Sequence, residues 1–167
     1  MKKYIYSKFI NTKRKKKVKN PTLVVLMGLP LAGKTYVANL LEKRFNFVKV
    51  SGENITYQLF KKTACTAKQY EKVYKIVRLL TASLLKNGFN VVYDGTNLKK
   101  KYRKQIYRET DDIKARRLLL WIKARPKIIF VRAKSMKTDY KDWGNIRSRI
   151  TRKKFQAFKK QLEAPTH

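Results

Sequence analysis

The residues of this sequence best suited to chemistry form a glycine-bounded octapeptide in its first quarter. The octapeptide follows the pattern G-x-x-x-x-G-K-T and lies between an apolar run and a periodic helical segment, the context that a phosphate-binding loop requires. Glycines let backbone N–H groups approach phosphate oxygens, and the following helix N-terminus adds partial positive charge. The pattern predicts that ATP binds through Gly28, Leu29, Pro30, Leu31, Ala32, Gly33, Lys34 and Thr35.

Two side chains of this loop have individual predicted roles. Lys34 is expected to bridge the β and γ phosphates, which also makes it a candidate catalytic residue. The Thr35 hydroxyl is expected to be a ligand of Mg²⁺. ATP and Mg²⁺ are therefore the predicted cofactors.

Two of the ten carboxylates are placed to act beside such a loop. Ligands of open α/β sheets bind beyond the carboxyl ends of strands, where only Glu53 and Asp94 are expected. Asp94 fits an acid that holds Mg²⁺; the alternative is a turn-forming Asp before Gly95. Glu53 fits a base that takes a proton from an acceptor hydroxyl; the alternative is a Glu favoured by a helix dipole.

The scarcity of cysteine and histidine excludes several kinds of site. Cys65 is the single cysteine and His167 the single histidine, so the chain can form neither an internal disulfide nor a Cys/His zinc site. Ser–His and Cys–His nucleophile pairs are excluded for the same reason. This composition predicts a reduced, cytoplasmic protein.

The charge balance points to an anionic partner. Lys and Arg number 43 against 10 Asp and Glu, which gives a net charge of +33. Nucleic acid is the first partner to consider, and the alternative is a lysine-rich solvated surface without selected binding. The longest uncharged apolar run, residues 23–33, is about half of the roughly 20 residues that cross a bilayer, so no membrane partner is expected.

The elements that position these residues alternate between strands and helices. Strands are predicted at 23–27, 47–51, 90–94 and 116–124. Helices are predicted at 34–45, around 55–60, from a capping box at 66–69 to Gly88, at 99–110, from Pro126, and at 143–162. The alternation predicts an α/β, three-layer P-loop NTPase fold with a short, mostly parallel sheet of about four strands and helices on both faces.

The basic segments allow two interpretations. Residues 1–20 are predicted to be a flexible arm, either a tether for nucleic acid or a solvated leader, before a kinase-like domain at 21–167. The helical segments 99–107 and 147–160 interleave aromatic residues with cations. Those aromatics would either stack on single strands or form the buried face of amphipathic helices.

Four segments together resemble a known family. GLPLAGKT, VSGENI, VVYDGTNLKKKYR and the RAK after Pro126 are similar to the polynucleotide-kinase-like and zeta-toxin-like P-loop kinases, which are AAA-type ATP-binding proteins. The resemblance covers residues 22 to about 164. The loop is generic to many NTPases, and the D-x-T-N match at Asp94, Thr96 and Asn97 narrows the field.

The resemblance implies roles for five residues. Glu53 falls where the family has a catalytic Asp, Arg132 where it has a first lid Arg, and Thr56 where it has a substrate-facing Arg. Thr96 and Asn97 are implied to contact substrate. Glu is one methylene longer than Asp, and Thr cannot make the bidentate phosphate contact of an Arg.

Taken together, the motif, the charge and the resemblance predict a cytoplasmic kinase that uses Mg²⁺ and ATP. It is expected to transfer the γ-phosphate to a hydroxyl, with a nucleic-acid 5′ end as one candidate acceptor. The alternatives are a small-molecule acceptor, such as a sugar or nucleoside, and a basic nucleic-acid-binding NTPase without kinase activity.

Overall fold

The computed structural model describes residues 9–10, 12–61, 65–135 and 150–165. Within these ranges the chain forms four strands and six helices. In chain order they are β1 (Thr22–Met27), α1 (Lys34–Arg44), β2 (Phe47–Ser51), α2 (Gly52–Phe60), α3 (Ala67–Lys86), β3 (Asn90–Asp94), α4 (Lys100–Arg108), β4 (Arg116–Trp121), α5 (Pro126–Ser135) and α6 (Arg152–Lys160).

The four strands form one parallel sheet in the order β2-β3-β1-β4. In β1, one of the two inner strands, Val24 lies opposite Val92 of β3 on one side and Leu118 of β4 on the other. Because all strands run the same way, their carboxyl ends meet at one edge, which we call the carboxyl edge. The predicted α/β P-loop NTPase fold is confirmed.

Alternate residues of β1 supply the two faces of the sheet. Leu23 and Val25 belong to a large apolar cluster, while Val24 and Leu26 belong to a second one that includes Ala38 of α1. Successive side chains of a strand point to opposite faces, so a strand buried on both faces reads as a continuous apolar run. This explains the sequence LVVLM and gives the three layers.

Helix α3 follows the predicted signals at both ends. The Thr66 hydroxyl accepts a hydrogen bond from the Gln69 amide, and the Gln69 side chain accepts one from the Thr66 amide, which completes the capping box. The helix ends at Lys86, and Gly88 follows with a φ of 81°. Buried residues at helical spacing, Val73 and Val77 among them, join the large cluster.

Two predicted boundaries were wrong. The fourth strand ends at Trp121 rather than at residue 124, because its partner β1 ends at Met27, which lies opposite Trp121. The last helix begins at Arg152, since Thr151 caps it by accepting a hydrogen bond from the Lys154 amide. Residues 143–149 of that predicted helix lie outside the described residues.

Part of the predicted flexible arm is attached to the domain. The Lys16 amide and carbonyl both bond to the side chain of Asn46, and the Val18 amide donates to the Gly88 carbonyl at 2.8 Å. Phe9 and Ile10 pack against the large apolar cluster. Backbone hydrogen bonds and apolar contacts thus attach these residues to the domain, although their like charges alone predict a mobile segment.

Helix length and composition also bear on membrane insertion. The longest helix, α3, has 20 residues, but lysines and an arginine interrupt it. Over the described ranges, no helix combines the length and apolarity that crossing a bilayer requires.

Candidate active site

The phosphate loop joins β1 to α1 at the carboxyl edge and depends on glycine at its first position. Gly28 has a φ of 148°, and a Cβ there would lie 2.3 Å from the Ile122 carbonyl oxygen. Gly33, with a φ of 113°, occupies the N-cap position of α1. The N–H groups of the first turn of a helix have no partners within it, so they are available to an anion.

Lys34 lies inside this loop rather than in solvent. Its side chain is 8% exposed, and its Nζ donates a hydrogen bond to the Leu29 carbonyl at 2.8 Å. Burial lowers the pKa of Lys34, while the carboxylates of Asp94 and Glu53 act in the opposite direction. Both predicted carboxylates are therefore within electrostatic reach of the loop lysine.

Asp94 and Glu53 come from neighbouring strands of the sheet. Asp94 ends β3 and lies opposite Ser51, the last residue of β2. Ser51 caps α2 by accepting a hydrogen bond from the Asn54 amide, which places Glu53 in the first turn. Asp94 is 6% exposed, whereas Glu53 is exposed. The two carboxylates thus differ in burial, with Asp94 enclosed by the protein and Glu53 in contact with solvent.

Arg132 reaches the phosphate loop from a distant part of the chain. Its Nη1 donates to the Leu31 carbonyl at 2.8 Å, and the same nitrogen lies 3.6 Å from where a Cβ on Gly33 would be. The exposed guanidinium therefore lies beside the loop, as the resemblance implied. Its part in transfer stays a prediction.

The apolar residues of the loop explain how α5 brings Arg132 there. Leu29 and Leu31 pack against a small cluster of Ile129, Ile150 and Phe155, in which α5 and α6 meet. A burial of this kind fixes the helix relative to the loop. Leu29 and Leu31, at positions that the loop motif leaves variable, thus hold helix α5 and its Arg132 beside the loop.

Thr96 and Asn97 lie in the turn after β3, where they contact the backbone of the protein. The Thr96 carbonyl accepts a hydrogen bond from the Gly28 amide at 3.1 Å. Asn97 is 4% exposed, has a φ of 45°, and donates from Nδ2 to the Leu26 carbonyl at 2.7 Å. Both residues therefore tie this turn to the start of the phosphate loop.

Thr56 is turned into its own helix. Its side chain is 5% exposed, and its hydroxyl donates to the Gly52 carbonyl at 2.8 Å. Thr35, by contrast, is half-buried in the first turn of α1. The structure therefore brings Lys34, Glu53, Asp94 and Arg132 together around the loop, and it leaves Thr56 in a helix-packing position.

Arg103 is a site-supporting residue that sequence reasoning missed. It is 4% exposed, and its Nη1 donates to the carbonyls of Asn97 and Leu98, each at 2.8 Å. Its Nη2 donates to the Glu163 carbonyl at 2.9 Å. A buried arginine inside a lysine-rich helix gives no distinct local signal, because its partners lie elsewhere in the chain.

Comparison with known proteins identifies the family. A family described as an AAA domain matches residues 23–165, which is most of the chain. The chain belongs to this family. A comparison with curated proteins finds no match.

Several solved structures share the fold of this AAA-domain protein at low identity. A chain of the Pnkp1/Rnl/Hen1 RNA repair complex matches with a TM-score of 0.70 and 18% identity, over 91% of this chain and 46% of that one. The PezAT toxin–antitoxin system of Streptococcus pneumoniae matches with a TM-score of 0.62 and 22% identity, over 79% and 60%. A gluconokinase from Sinorhizobium meliloti gives 0.61 and 15%, over 89% and 78%.

These matches support a P-loop kinase-like fold. The chain spans less than half the length of the repair-complex chain. The neighbours include proteins named for nucleic-acid repair and for sugar phosphorylation, so the likeness leaves the acceptor open.

Proposed function

We propose that this protein is a kinase that transfers the γ-phosphate of ATP to a hydroxyl acceptor. The observation that carries the proposal is that Asp94 and Glu53, at the carboxyl ends of neighbouring strands, are within electrostatic reach of Lys34, beside a loop that Arg132 also reaches. A protein that uses nucleotide only as a switch needs the phosphate loop and a buried acidic residue. An exposed second carboxylate facing the loop lysine is what transfer to a hydroxyl requires in addition.

The donor side of the reaction rests on the loop and its cations. Backbone N–H groups of the loop bind the phosphates of ATP, and Lys34 neutralises the β and γ phosphates. Arg132 stabilises the charge that spreads over the transferring phosphoryl group. Hydrogen bonds to the Leu29 and Leu31 carbonyls keep Lys34 and Arg132 beside the loop before ATP binds.

The oxygen donors beside the loop fit Mg²⁺. The Thr35 hydroxyl and the Asp94 carboxylate are hard ligands of the type that Mg²⁺ prefers. Thr35 lies in the first turn of α1, which begins at the loop, and Asp94 ends β3, the strand beside β1. Mg²⁺, when bound, neutralises charge on the triphosphate. The described residues contain no cluster of three or more His, Cys, Asp and Glu. One or two protein ligands suffice for Mg²⁺ that also binds phosphates.

Glu53 acts on the acceptor side. The acceptor hydroxyl oxygen forms a bond to the γ-phosphorus, the bond to the β–γ bridging oxygen breaks, and ADP leaves. Glu53 accepts the proton that the hydroxyl loses. Its exposed position in the first turn of α2 suits this role, because an acceptor can approach it from solvent.

The remaining predicted substrate residues have a supporting role in this proposal. Thr96 and Asn97 hold the turn after β3 against the loop, and Thr56 stabilises the helix that carries Glu53. Each acts through another group. Their effect on transfer would therefore be indirect.

A nucleic-acid 5′ end is the acceptor that the net charge of +33 favours. Such a charge attracts polyanions through counterion release. The competing candidates are a small-molecule acceptor and a nucleic-acid-binding NTPase that releases free phosphate. The cytoplasmic location stays a prediction.

The test is phosphate transfer from γ-labelled ATP with Mg²⁺ to a panel of acceptors. The panel contains 5′-hydroxyl RNA, 5′-hydroxyl DNA, nucleosides and sugars, with a control that lacks acceptor. We expect label on an oligonucleotide end, and we expect Lys34→Ala to abolish it while Lys43→Ala, exposed on the same helix, retains it. Release of free phosphate alone, stimulated by nucleic acid, would replace the kinase by the NTPase.

A further inference from the structure

Three tyrosine rings form one stacked pair and one tilted pair near the candidate active site. Tyr74 of α3 stacks on Tyr102 of α4, with ring centroids 5.3 Å apart and planes 18° apart. Tyr70, one turn earlier in α3, lies 6.5 Å from Tyr74 with planes 30° apart. We call these three rings the tyrosine ladder. Two different helices contribute to it.

The topology places the ladder at the carboxyl edge. Helix α3 ends shortly before β3 begins, so it runs in the direction opposite to the strands. Its first turns, which carry Tyr70 and Tyr74, therefore lie at the carboxyl edge near Glu53. Tyr102 lies in the first turn of α4, soon after β3 has ended at Asp94. All three rings therefore lie on the side of the sheet edge from which an acceptor would approach.

Electrostatics independently link the ladder to Glu53. Burial raises the pKa of Tyr74, and the neighbouring Tyr102, Tyr70 and Glu53 raise it further. A carboxylate that disfavours the ionised phenol must be within electrostatic reach of it. Tyr74 is therefore within reach of the proposed base, in agreement with the placement of α3 by the topology.

The ladder combines exposed ring surface with a neighbouring cation. Tyr70 is 38% exposed, and Tyr102 lies beneath the exposed Lys101, whose Nζ is 5.2 Å from the ring centroid. Aromatic surface beside positive charge is a combination that suits single-stranded nucleic acid.

We infer that the tyrosine ladder is the acceptor platform of this enzyme, on which the base at the 5′ end of a single nucleic-acid strand stacks beside Glu53. The inference rests on the proposed function. A base offers a flat π face to the ladder, and strand phosphates complement Lys101 and the net charge of +33. Stacking is tolerant of sequence, so the platform would accept any base.

Two matched comparisons test the platform. The first compares a 5′-hydroxyl oligonucleotide with the same oligonucleotide that lacks only its terminal base. The second compares Tyr70→Ala and Tyr102→Ala with Tyr70→Phe and Tyr102→Phe, which keep the ring. Tyr74 is left unchanged because it is partly buried, and thermal melting verifies that each variant folds.

We expect each Ala variant to raise the oligonucleotide KM about 10-fold with little change in kcat, and each Phe variant to resemble wild type. Removal of the terminal base should raise the wild-type KM by a similar factor. Because the two changes remove the same contact, the Ala variants should show no further rise with the abasic oligonucleotide. Additive effects of ring and base would contradict stacking between them.

The outcomes separate this inference from the proposed function. Transfer that is insensitive to both the terminal base and the rings would overturn the platform and leave the kinase intact. Nucleosides accepted as efficiently as oligonucleotides would overturn the nucleic-acid acceptor. The absence of transfer to any acceptor in the panel would overturn the kinase and the platform together.

Discussion

The phosphate loop is shaped by its backbone, whereas the proposed acceptor side of the site is built from side chains at helix ends. Gly28 leaves no space for a Cβ, and Lys34 is 8% exposed within the loop. Glu53 and Tyr70, in contrast, are exposed in the first turns of α2 and α3. Backbone geometry fixes what the donor side can bind. The acceptor side can change by substitution without disturbing the sheet.

The largest expected effect tests whether helix α5, through Arg132, takes part on the ATP side of the proposed site. Arg132→Ala should reduce the rate of transfer about 1000-fold, because an arginine at the transferring phosphate contributes on that scale. Lys134→Ala, exposed on the same helix, should leave the rate near that of wild type. Single-turnover kinetics with γ-labelled ATP measures both. Equal transfer rates for Arg132→Ala and Lys134→Ala would show that the groups acting on ATP belong to the loop and do not include α5.

The backbone character of the loop can be tested by stability. Gly28→Ala should lower the free energy of unfolding by roughly 3 kcal/mol, from steric overlap with Ile122 and from a positive φ. Gly52→Ala is the control, because the nearest atom to its new Cβ would be Val77 Cγ2 at 4.0 Å. Urea unfolding measures the difference. Two similar values would show that the loop tolerates a side chain and would weaken the contrast between the two sides.

The acceptor side is tested by removing a charge while keeping the shape. Glu53→Gln should lower kcat about 100-fold, the typical contribution of a general base, and leave ATP affinity unchanged. Glu71→Gln, exposed on α3, provides the matched control. A wild-type kcat in Glu53→Gln would reduce Glu53 to a helix N-terminal residue and would favour the NTPase.

The smallest expected effect concerns the turn that joins the two sides. Asn97→Gly keeps the positive φ accessible but leaves the buried Leu26 carbonyl without the Asn97 amide, so it should cost about 2 kcal/mol of stability. Asn87→Ala removes an exposed contact to the Ser83 carbonyl and should cost less than about 1 kcal/mol. Chemical denaturation of both variants makes the comparison. A larger loss at Asn87 would contradict the structural role of Asn97.

Sequence reasoning succeeded where a local pattern carries the physics. The loop motif, the apolar run of β1 and the capping box at Thr66 each specify a local geometry, and the alternation of strands and helices specifies parallel pairing. The position of Arg132 beside the loop came from a family resemblance instead. No pattern near Arg132 reveals that Ile129 packs against Leu29 and Leu31.

Contacts between distant segments account for what sequence reasoning missed. The end of β4 depends on where β1 stops, and the partners of Arg103 include the carbonyl of Glu163, 60 residues away. In the sequence, Tyr102 belongs to the segment 99–107, whose aromatics allow either base stacking or burial, and Tyr70 and Tyr74 belong to the predicted helix after residue 66, so no tyrosine ladder is predicted. Its meaning depends on a ring from another helix, and spacing within one helix cannot supply that information.

The attachment of residues 150–165 has a consequence for the order of events in folding. The Glu163 amide bonds to the Leu98 carbonyl, its carboxylate accepts from the Lys100 amide at the start of α4, and its carbonyl accepts from Arg103. Contacts of such long sequence separation form late, because loop closure must precede them. On a ribosome, β1, β2 and β3 emerge before these residues. We therefore expect the nascent chain to assemble its sheet, and to join the turn after β3 to β1 through Asn97, before Glu163 adds its contacts to that turn.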